Sequence, residues 1–138
     1  MNQHSSAAGI IVYQDRGPNK LFFLGLIALP EFQTKNKGIY DIPKGRIDPG
    51  ESPLQCAIRE CFEECSIVVD INDINHGYVT NGYLSLFLAY TDGIPHVTAN
   101  QDTGILEHVG FRWVSMEDAI AGALDYLKPL IRSAESLK

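Results

Sequence analysis

Short apolar runs separated by turn-forming residues dominate the first third of the chain. The runs at 7–13 and 20–28 are rich in aliphatic and aromatic residues and flank a Gly-Pro turn within 15–19, so they predict a β-hairpin. The polar stretch 31–38 has no hydrophobic period and predicts a loop. A short strand is expected at 40–43, directly before a glycine-containing segment.

A second hairpin is predicted in the middle of the chain. The runs at 76–80 and 83–91 flank Asn81-Gly82, a pair that favours a type I′ turn. The second run is apolar nearly throughout, as is typical of a strand buried on both faces. The stretch 92–104 contains glycines, a proline and an asparagine, and it predicts a long irregular loop of the kind that can border a functional pocket.

The C-terminal part predicts one strand and two helices. The strand is expected at 111–114, followed by a helix at 115–124 that is capped by its first residue. A terminal helix at 125–136 carries Pro129 near its first turn, where proline is tolerated. Strands, a helix, more strands and further helices in this order predict an α/β (α+β) fold, a mixed sheet flanked by helices in a single domain spanning 1–138.

The helix near the middle of the chain has the strongest start signal. Ser52 is a favourable N-cap, Pro53 suits the first helical position, and Gln55 completes the spacing of a capping box. The segment 45–51, which contains two glycines, leads into this helix. Backbone N–H groups and the helix dipole make such a junction a good seat for an anion.

Three carboxylates gather on one side of this helix. At about 100° per residue, Glu60, Glu63 and Glu64 fall within an arc of roughly 100°. Like charges at this spacing destabilise a helix by a few tenths of a kcal/mol per pair, and Arg59 can offset only part of the repulsion. Carboxylate oxygens are preferred ligands of Mg²⁺ and Mn²⁺, so the cluster predicts a divalent-metal site, with a solvated charged face as the alternative.

Composition narrows the class of protein. The chain has 138 residues, 45% of them hydrophobic, and a net charge of −6, which fits a globular domain and disfavours nonspecific binding to nucleic acid or to a membrane surface. No apolar run reaches the ~18 residues of a membrane helix, and no leader peptide is expected. Cys56, Cys61 and Cys65 match no zinc spacing and predict reduced, packed thiols in a cytoplasmic protein.

The segment 45–67 resembles the Nudix box, G-x5-E-x7-R-E-U-x-E-E-x-G-U, in which U is apolar. The matching positions are Gly45, Glu51, Arg59, Glu60, Glu63, Glu64 and Ile67. Cys61 stands where an aliphatic residue is usual, and Ser66 replaces the last glycine. Because that glycine commonly takes a left-handed conformation at the helix end, a serine there costs on the order of 1 kcal/mol of local stability.

The resemblance implies a Nudix-like αβα sandwich and a hydrolase that cleaves a phosphoanhydride bond with Mg²⁺ or Mn²⁺ as cofactor. It implies a metal site made by Glu60, Glu64 and the Gly45 carbonyl, with Glu63 as a further ligand or as the group that orients or deprotonates the attacking water. Arg59 is expected to hold the carboxylates in place. Within the box, the remaining glutamate is expected to tie the glycine segment to the helix or to bind metal through water.

Shorter motifs indicate which type within this family the chain resembles. Pro43-Lys44-Gly45 at the start of the box, and Glu107-His108 ahead of Arg112-Trp113, are similar to the asymmetric diadenosine tetraphosphate hydrolase type of this family. In that type a glutamate outside the box can act as metal ligand or base, which implies this role for Glu107. The alternative is an exposed acid at a loop edge. His108 is expected to be a hydrogen-bonded structural imidazole.

Substrate contacts are expected from cations and aromatic rings near the box. Lys44 and Arg46 flank the first glycine and can hold phosphate oxygens, or can simply be solvated. Tyr78, Tyr83 and Tyr126 are candidates for stacking on adenine, although tyrosines at such places also serve as core or surface residues.

The predicted substrate is a nucleoside diphosphate linked to another group, with a dinucleoside polyphosphate as first choice. The alternatives are a nucleoside triphosphate pyrophosphatase, an ADP-ribose pyrophosphatase, an enzyme that acts on RNA 5′ ends, and a catalytically inactive nucleotide-binding domain. The low content of positive charge counts against RNA, and the four box glutamates count against loss of turnover. The sequence does not predict an oligomeric state.

Overall fold

A seven-stranded mixed sheet forms the centre of the computed structural model, which describes residues 5–18, 20–97, 99 and 103–137. The strands are β1 Ala7–Asp15, β2 Leu21–Ala28, β3 Tyr40–Asp41, β4 Lys44–Arg46, β5 Ile74–Thr80, β6 Leu84–Tyr90 and β7 His108–Ser115. The helices are α1 Pro30–Asn36, α2 Pro53–Cys65, α3 Met116–Gly122 and α4 Lys128–Ala134, with 3₁₀ turns at Ile71–Asp73, Asp125–Leu127 and Glu135–Leu137. No helix in this part of the chain is long and apolar enough to cross a membrane.

Along one edge, β1 pairs with two different strands. The order is β3-β2-β1-β6-β5, and β1 runs parallel to β6 but antiparallel to β2. Only the last residues of β1, from Tyr13 onward, pair with β2, while the first three pair with β4. β2 turns away to pair with β7 and β3. Lys44 and Gly45 are therefore held by backbone hydrogen bonds at the point where two strands diverge.

Hydrophobic layers cover both faces of the sheet. Alternate residues of a strand point to opposite faces, so Ile10 and Val12 pack toward α2 while Ile11 packs toward α4. The α2 layer includes Cys56, Ala57, Cys61 and Cys65, and the opposite layer includes Leu127, Leu130 and Ile131. The result is a mixed sheet between helical layers, which confirms the predicted αβα sandwich.

Both predicted hairpins are present, but the turn of the second differs from the prediction. A type I′ turn requires positive φ at both central residues, whereas here Gly82 has a φ of 93° and Asn81 does not share that conformation. The Asn81 side chain instead accepts hydrogen bonds from the backbone N–H groups of Tyr83 at 2.9 Å and Leu84 at 2.8 Å. The asparagine side chain thus closes the turn.

The predicted loop at 31–38 is wrong, because most of it forms α1. Pro30 occupies the start of the helix, and Lys37 ends it in a left-handed conformation with its N–H bonded to the Gln33 carbonyl. The structure describes all seven residues of α1 and none of them is buried. Such a helix has no hydrophobic period, so the pattern of apolar residues gives no sign of it.

Other boundaries also shift. Gly45 lies in β4, so the glycine segment begins as a strand. The helix expected at 115–124 ends at Gly122, and the one expected at 125–136 divides into a 3₁₀ turn, α4 and a second 3₁₀ turn. At its described positions the loop 92–104 has no strand or helix, and positions 98 and 100–102 lie outside the described residues.

The predicted start of α2 is confirmed in detail. The Ser52 hydroxyl accepts from the Gln55 N–H at 3.1 Å, and the Gln55 side chain accepts from the Ser52 N–H at 2.9 Å. At the other end, Ser66 takes the left-handed conformation with a φ of 64°, and its N–H bonds to the Phe62 carbonyl. The serine therefore occupies a position that favours glycine.

We expect Ser66→Gly to raise the free energy of unfolding by up to about 1 kcal/mol, because glycine removes the left-handed strain. The gain is partly offset by loss of the exposed hydrogen bond from the Ser66 hydroxyl to the His96 carbonyl, 3.3 Å. Urea denaturation followed by circular dichroism measures it. Ser66→Ala is the matched control, since it loses the same hydrogen bond and keeps the strain. A glycine variant no more stable than the alanine variant would contradict the prediction.

Candidate active site

The first box glycine brings β4 against the side chain of Glu60. A Cβ atom added to Gly45 would lie 2.1 Å from the carboxyl carbon and from one carboxyl oxygen of Glu60. These distances are far inside van der Waals contact, so any other residue would displace the carboxyl or the strand. Glycine at this position therefore lets the Glu60 carboxyl lie directly beside the backbone of β4.

Glu64 is buried, and Glu60, one turn before it on α2, is partly buried. Glu64 is 8% exposed and accepts a hydrogen bond from the Lys44 N–H at 3.3 Å. Burial, together with a hydrogen bond to Glu60, raises the pKa of Glu64 to about 10. Burial also raises the pKa of Glu60. In both groups the shift disfavours the ionised form, because that form loses contact with water.

Arg59 connects the glutamates of the box. Its Nε and one terminal nitrogen bind both carboxylate oxygens of Glu51, at 2.8 and 3.0 Å. The other terminal nitrogen donates to Glu60 at 2.9 Å and to Glu63 at 3.2 Å. A bidentate guanidinium–carboxylate pair fixes orientation as well as charge. Hydrogen bonding to Arg59 lowers the pKa of Glu51 to about 2.

Glu63 is more exposed than the other two glutamates of α2. Its side chain is 46% exposed and contacts Arg59. The helical arc that groups the three glutamates in the sequence thus divides in the fold, with Glu64 buried, Glu60 partly buried beside Gly45, and Glu63 at the solvent edge. The division follows from the packing of α2, whose buried residues include Glu64 beside the cysteines.

A buried charge cluster joins β3, β4 and β7. The Asp41 carboxylate forms an ion pair with the Lys44 ammonium at 2.8 Å. It also accepts hydrogen bonds from His108 Nε2 at 2.9 Å and from the Ile42 N–H at 2.8 Å. Burial acts to raise the pKa of Asp41, but the His108 hydrogen bond and the charge of Lys44 outweigh it and lower that pKa. His108 is thus hydrogen-bonded, as expected. Asp41 was not among the predicted site residues.

A cavity of about 350 Å³ lies beside this cluster. Glu64 and Glu107 both line it, as do Asp41, Lys44, His108 and Tyr126. The structure therefore brings the glutamate outside the box to the same cavity as a box glutamate. The remaining wall includes Phe32, Lys35 and Asn36 of α1. These residues were not predicted as part of the site, because the helix itself was not predicted.

A second cavity of about 320 Å³ lies on the other side of Lys44. Its lining includes Lys44, Gly45, Arg46, Tyr83 and Tyr126. The Lys44 ammonium lies 5.7 Å from the centre of the Tyr126 ring, and both residues border both cavities.

The three candidate tyrosines are not equivalent in the fold. Tyr83 and Tyr126 border the second cavity together, whereas Tyr78 packs its ring on Phe87, with centroids 5.6 Å apart. Tyr78 borders a different cavity, with Ser52 and other hydroxyl residues.

Glu60 and Glu64 carry oxygen donors of the kind that hard divalent cations such as Mg²⁺ and Mn²⁺ prefer. Within the described residues, no three side chains of Asp, Glu, His or Cys are grouped closely enough to hold one ion. A cation bound by these two carboxyls would therefore need a further oxygen from the backbone or from water, and the backbone of Gly45 lies against Glu60. The Gly45 carbonyl oxygen accepts a weak contact from the Cys56 thiol at 3.4 Å. A divalent cation at this place would favour the ionised form of both carboxyls.

Comparison with protein families identifies the fold family. A sequence model of the NUDIX domain matches residues 3–133. The chain belongs to the Nudix family. This confirms the family suggested by the box.

The known proteins to which the chain is similar differ in how much of their length it matches. It is 28% identical over 123 residues to the asymmetrical bis(5′-nucleosyl)-tetraphosphatase of Caenorhabditis elegans, covering 83% of this chain and 81% of that protein. It is 30% identical over 115 residues to an octanoyltransferase of Myxococcus xanthus and 39% identical over 51 residues to an RNA pyrophosphohydrolase of Erythrobacter litoralis. Those matches cover 80% and 36% of this chain, but only 31% of either protein.

Solved structures agree with the fold. An Ap4A hydrolase of C. elegans, determined as a binary complex, is 26% identical with a TM-score of 0.66, covering 94% of this chain and 96% of that one. A MutT protein from Methanosarcina mazei Go1 is 18% identical with a TM-score of 0.61, covering 94% of this chain and 91% of that one, and shows the fold alone.

Acid titration tests the pairing of Glu51 with Arg59. Because the folded pKa of Glu51 lies at about 2 and the ordinary value is 4.5, the pair stabilises the fold above pH 4.5. That contribution is lost as the pH falls from 4.5 toward 2. We expect the unfolding free energy of the wild type to fall more steeply over this window than that of Glu51→Gln. Chemical denaturation at several pH values measures both.

The exposed Glu117 on α3 provides the matched control for that titration. Glu117→Gln should follow the wild-type curve. Wild-type and Glu51→Gln curves that run parallel through the window would contradict the assigned pairing.

Proposed function

We propose that the chain is a metal-dependent pyrophosphohydrolase that cleaves a phosphoanhydride bond in a nucleoside diphosphate linked to another group. The observation that carries this proposal is the position of Glu60 and Glu64, with the Glu60 carboxyl directly against the backbone of Gly45. Arg59 offsets part of the negative charge of this cluster, and a Mg²⁺ or Mn²⁺ ion would offset the rest. Membership of the Nudix family supports the same chemistry.

Different residues of the proposed site have different roles in hydrolysis. Glu60, Glu64 and the Gly45 carbonyl hold the cation, which when bound neutralises charge on the phosphate oxygens and favours ionisation of the attacking water. Arg59 positions Glu60 and Glu63 through its shared contacts. Glu63, at the solvent edge, is one candidate to accept the proton of that water.

Glu107 is the second candidate for the base, or a further metal ligand. It lines the same cavity as Glu64, although it comes from the segment before β7. Its exposed position in the wall of this cavity supports a role close to the substrate.

Lys44 is the proposed phosphate-binding cation. The charge of Asp41 raises the pKa of Lys44 in spite of burial, so the ammonium stays protonated at neutral pH. Its place between the two cavities suits a phosphate chain that passes from one to the other. Arg46 lines the second cavity and is a further phosphate ligand in this proposal.

The proposed substrate is a dinucleoside polyphosphate. Similarity to the C. elegans tetraphosphatase over most of both chains supports this choice, and Tyr83 and Tyr126 offer rings for one base. Nucleoside triphosphates, ADP-ribose and RNA 5′ ends are the alternatives. The similarity to an RNA pyrophosphohydrolase favours the last only weakly, because it covers 36% of this chain.

The described cysteines are free and buried, which supports the proposal of a reducing, cytoplasmic location.

Glu64→Gln tests the metal site. We expect turnover to fall at least ~100-fold, the scale of losing one electrostatic group in an active site. We also expect the rise in Tm that Mg²⁺ produces in the wild type to disappear, because an ion stabilises only the state that binds it. The metal-free variant should remain folded, since the substitution removes a carboxyl whose ionised form is unfavourable in its buried site.

Glu117→Gln is the control and should retain wild-type turnover and the Mg²⁺-dependent shift. Products from a panel of diadenosine tetraphosphate, ATP, ADP-ribose and triphosphorylated RNA, identified by mass spectrometry, distinguish the substrate classes. Wild-type activity in Glu64→Gln would remove this residue from the site. A wild type inert toward every nucleotide with Mg²⁺ and with Mn²⁺ would contradict the proposed hydrolase.

A further inference from the structure

α1 contributes one face to the cavity that contains Glu64. Phe32, Lys35 and Asn36 line that cavity, and they stand at positions i, i+3 and i+4, which share one side of a helix. Glu31 and Thr34 do not belong to this lining. The helix therefore presents an ordered face, made of an aromatic ring, a cation and an amide, toward the candidate active site.

Packing does not account for this face. All seven residues of α1 are described and none is buried, and the Phe32 side chain remains 44% exposed. Isolated helices of this length are marginal in water, and α1 buries none of its residues. Core burial therefore does not explain the aromatic residue at position 32. Lys35 makes no hydrogen bond or ion pair with any residue that the structure describes. Both side chains are available to a ligand.

The position of α1 is nevertheless fixed at its C-terminal end. A Cβ atom on Gly38 would lie 2.2 Å from the Ala123 carbonyl oxygen, and the Ile39 N–H donates to the Gly122 carbonyl at 2.7 Å. At the other end, the Gln33 side chain donates to the Ala28 carbonyl at 2.8 Å. The lining face is thus held against the segment that carries Leu124, another wall of the same cavity.

Two cavities meet at Lys44, and each has its own aromatic side chain. The one beside α1 has Phe32, and the one beside β4 has Tyr83, which is 59% exposed. At about 350 and 320 Å³ they lie at the lower end of the volumes that hold small-molecule ligands. Each suits one nucleoside, and the cation between them suits the phosphate chain that would join two.

We propose that Phe32, Lys35 and Asn36 form a second nucleoside subsite, so that a dinucleoside polyphosphate lies across Lys44 with one base near Tyr83 and the other on Phe32. The ring of Phe32 stacks on the base, Lys35 binds an adjacent phosphate, and the amide oxygen of Asn36 accepts from the base edge. This subsite rests on the proposed function and specifies how it selects a substrate with two nucleosides.

Kinetics with two matched nucleotides test the subsite. Diadenosine tetraphosphate and adenosine tetraphosphate share the phosphate chain and differ by one nucleoside. Phe32→Ala and Tyr83→Ala should each lower kcat/KM for the dinucleotide about tenfold, the scale of one lost stacked base. With the mononucleotide, only one of the two variants should have this effect, because a single base occupies a single subsite.

Two further variants of the same helix complete the test. Glu31→Gln changes a residue outside the lining face and should stay within about twofold of the wild type. Phe32→Tyr keeps a ring and should lose less kcat/KM for the dinucleotide than Phe32→Ala does. Far-UV circular dichroism and Tm confirm that each variant is folded.

Three outcomes would overturn the subsite. The first is an unchanged kcat/KM of Phe32→Ala for the dinucleotide. The second is an equal loss with both nucleotides in both alanine variants. In either case the wild type still hydrolyses the dinucleotide and the proposed function stands. The third is a wild type that hydrolyses neither nucleotide, which would remove the proposed function and the subsite together.

Discussion

The contact between Gly45 and the Glu60 carboxyl is the interaction on which the arrangement of the proposed metal site depends. A side chain at this position of β4 would displace that carboxyl, and β4 pairs with the first residues of β1, which β2 does not occupy. Arg59 then holds Glu60 from the other side while binding Glu51. The Arg59 guanidinium and Gly45 therefore determine together where the Glu60 carboxyl lies relative to the backbone of β4.

Partial burial determines the electrostatics of the proposed metal site. Ionised carboxyls are unfavourable away from water, and in this site Glu60 pairs with Arg59 while Glu64 accepts from the Lys44 N–H. A divalent cation at the proposed site would reduce the repulsion between the two carboxyls. The Lys44 ammonium pairs with Asp41, which in turn bonds to His108. The proposed phosphate-binding cation is therefore held in place by residues of the chain itself.

The sequence predicts a structural feature when the residues that cause it lie close together in the chain. Ser52, Pro53 and Gln55 start α2 through contacts within four residues, and the capping box follows the prediction. The left-handed Ser66 likewise follows from its place at the helix end. α1 was missed because its only strong signal is Pro30 at its start, and no apolar period supports it. Asp41 was missed because its partner His108 lies 67 residues away, and only the pairing of β2 with β3 and β7 brings them together.

The most direct test of the site is the position of a cation in crystals grown with Mn²⁺ and measured at its absorption edge. We predict an anomalous peak bounded by the carboxyls of Glu60 and Glu64 and by the backbone oxygen of Gly45. A cation bound elsewhere on the chain, or these three groups left unbound at millimolar Mn²⁺ with their oxygens pointing apart, would contradict the assignment.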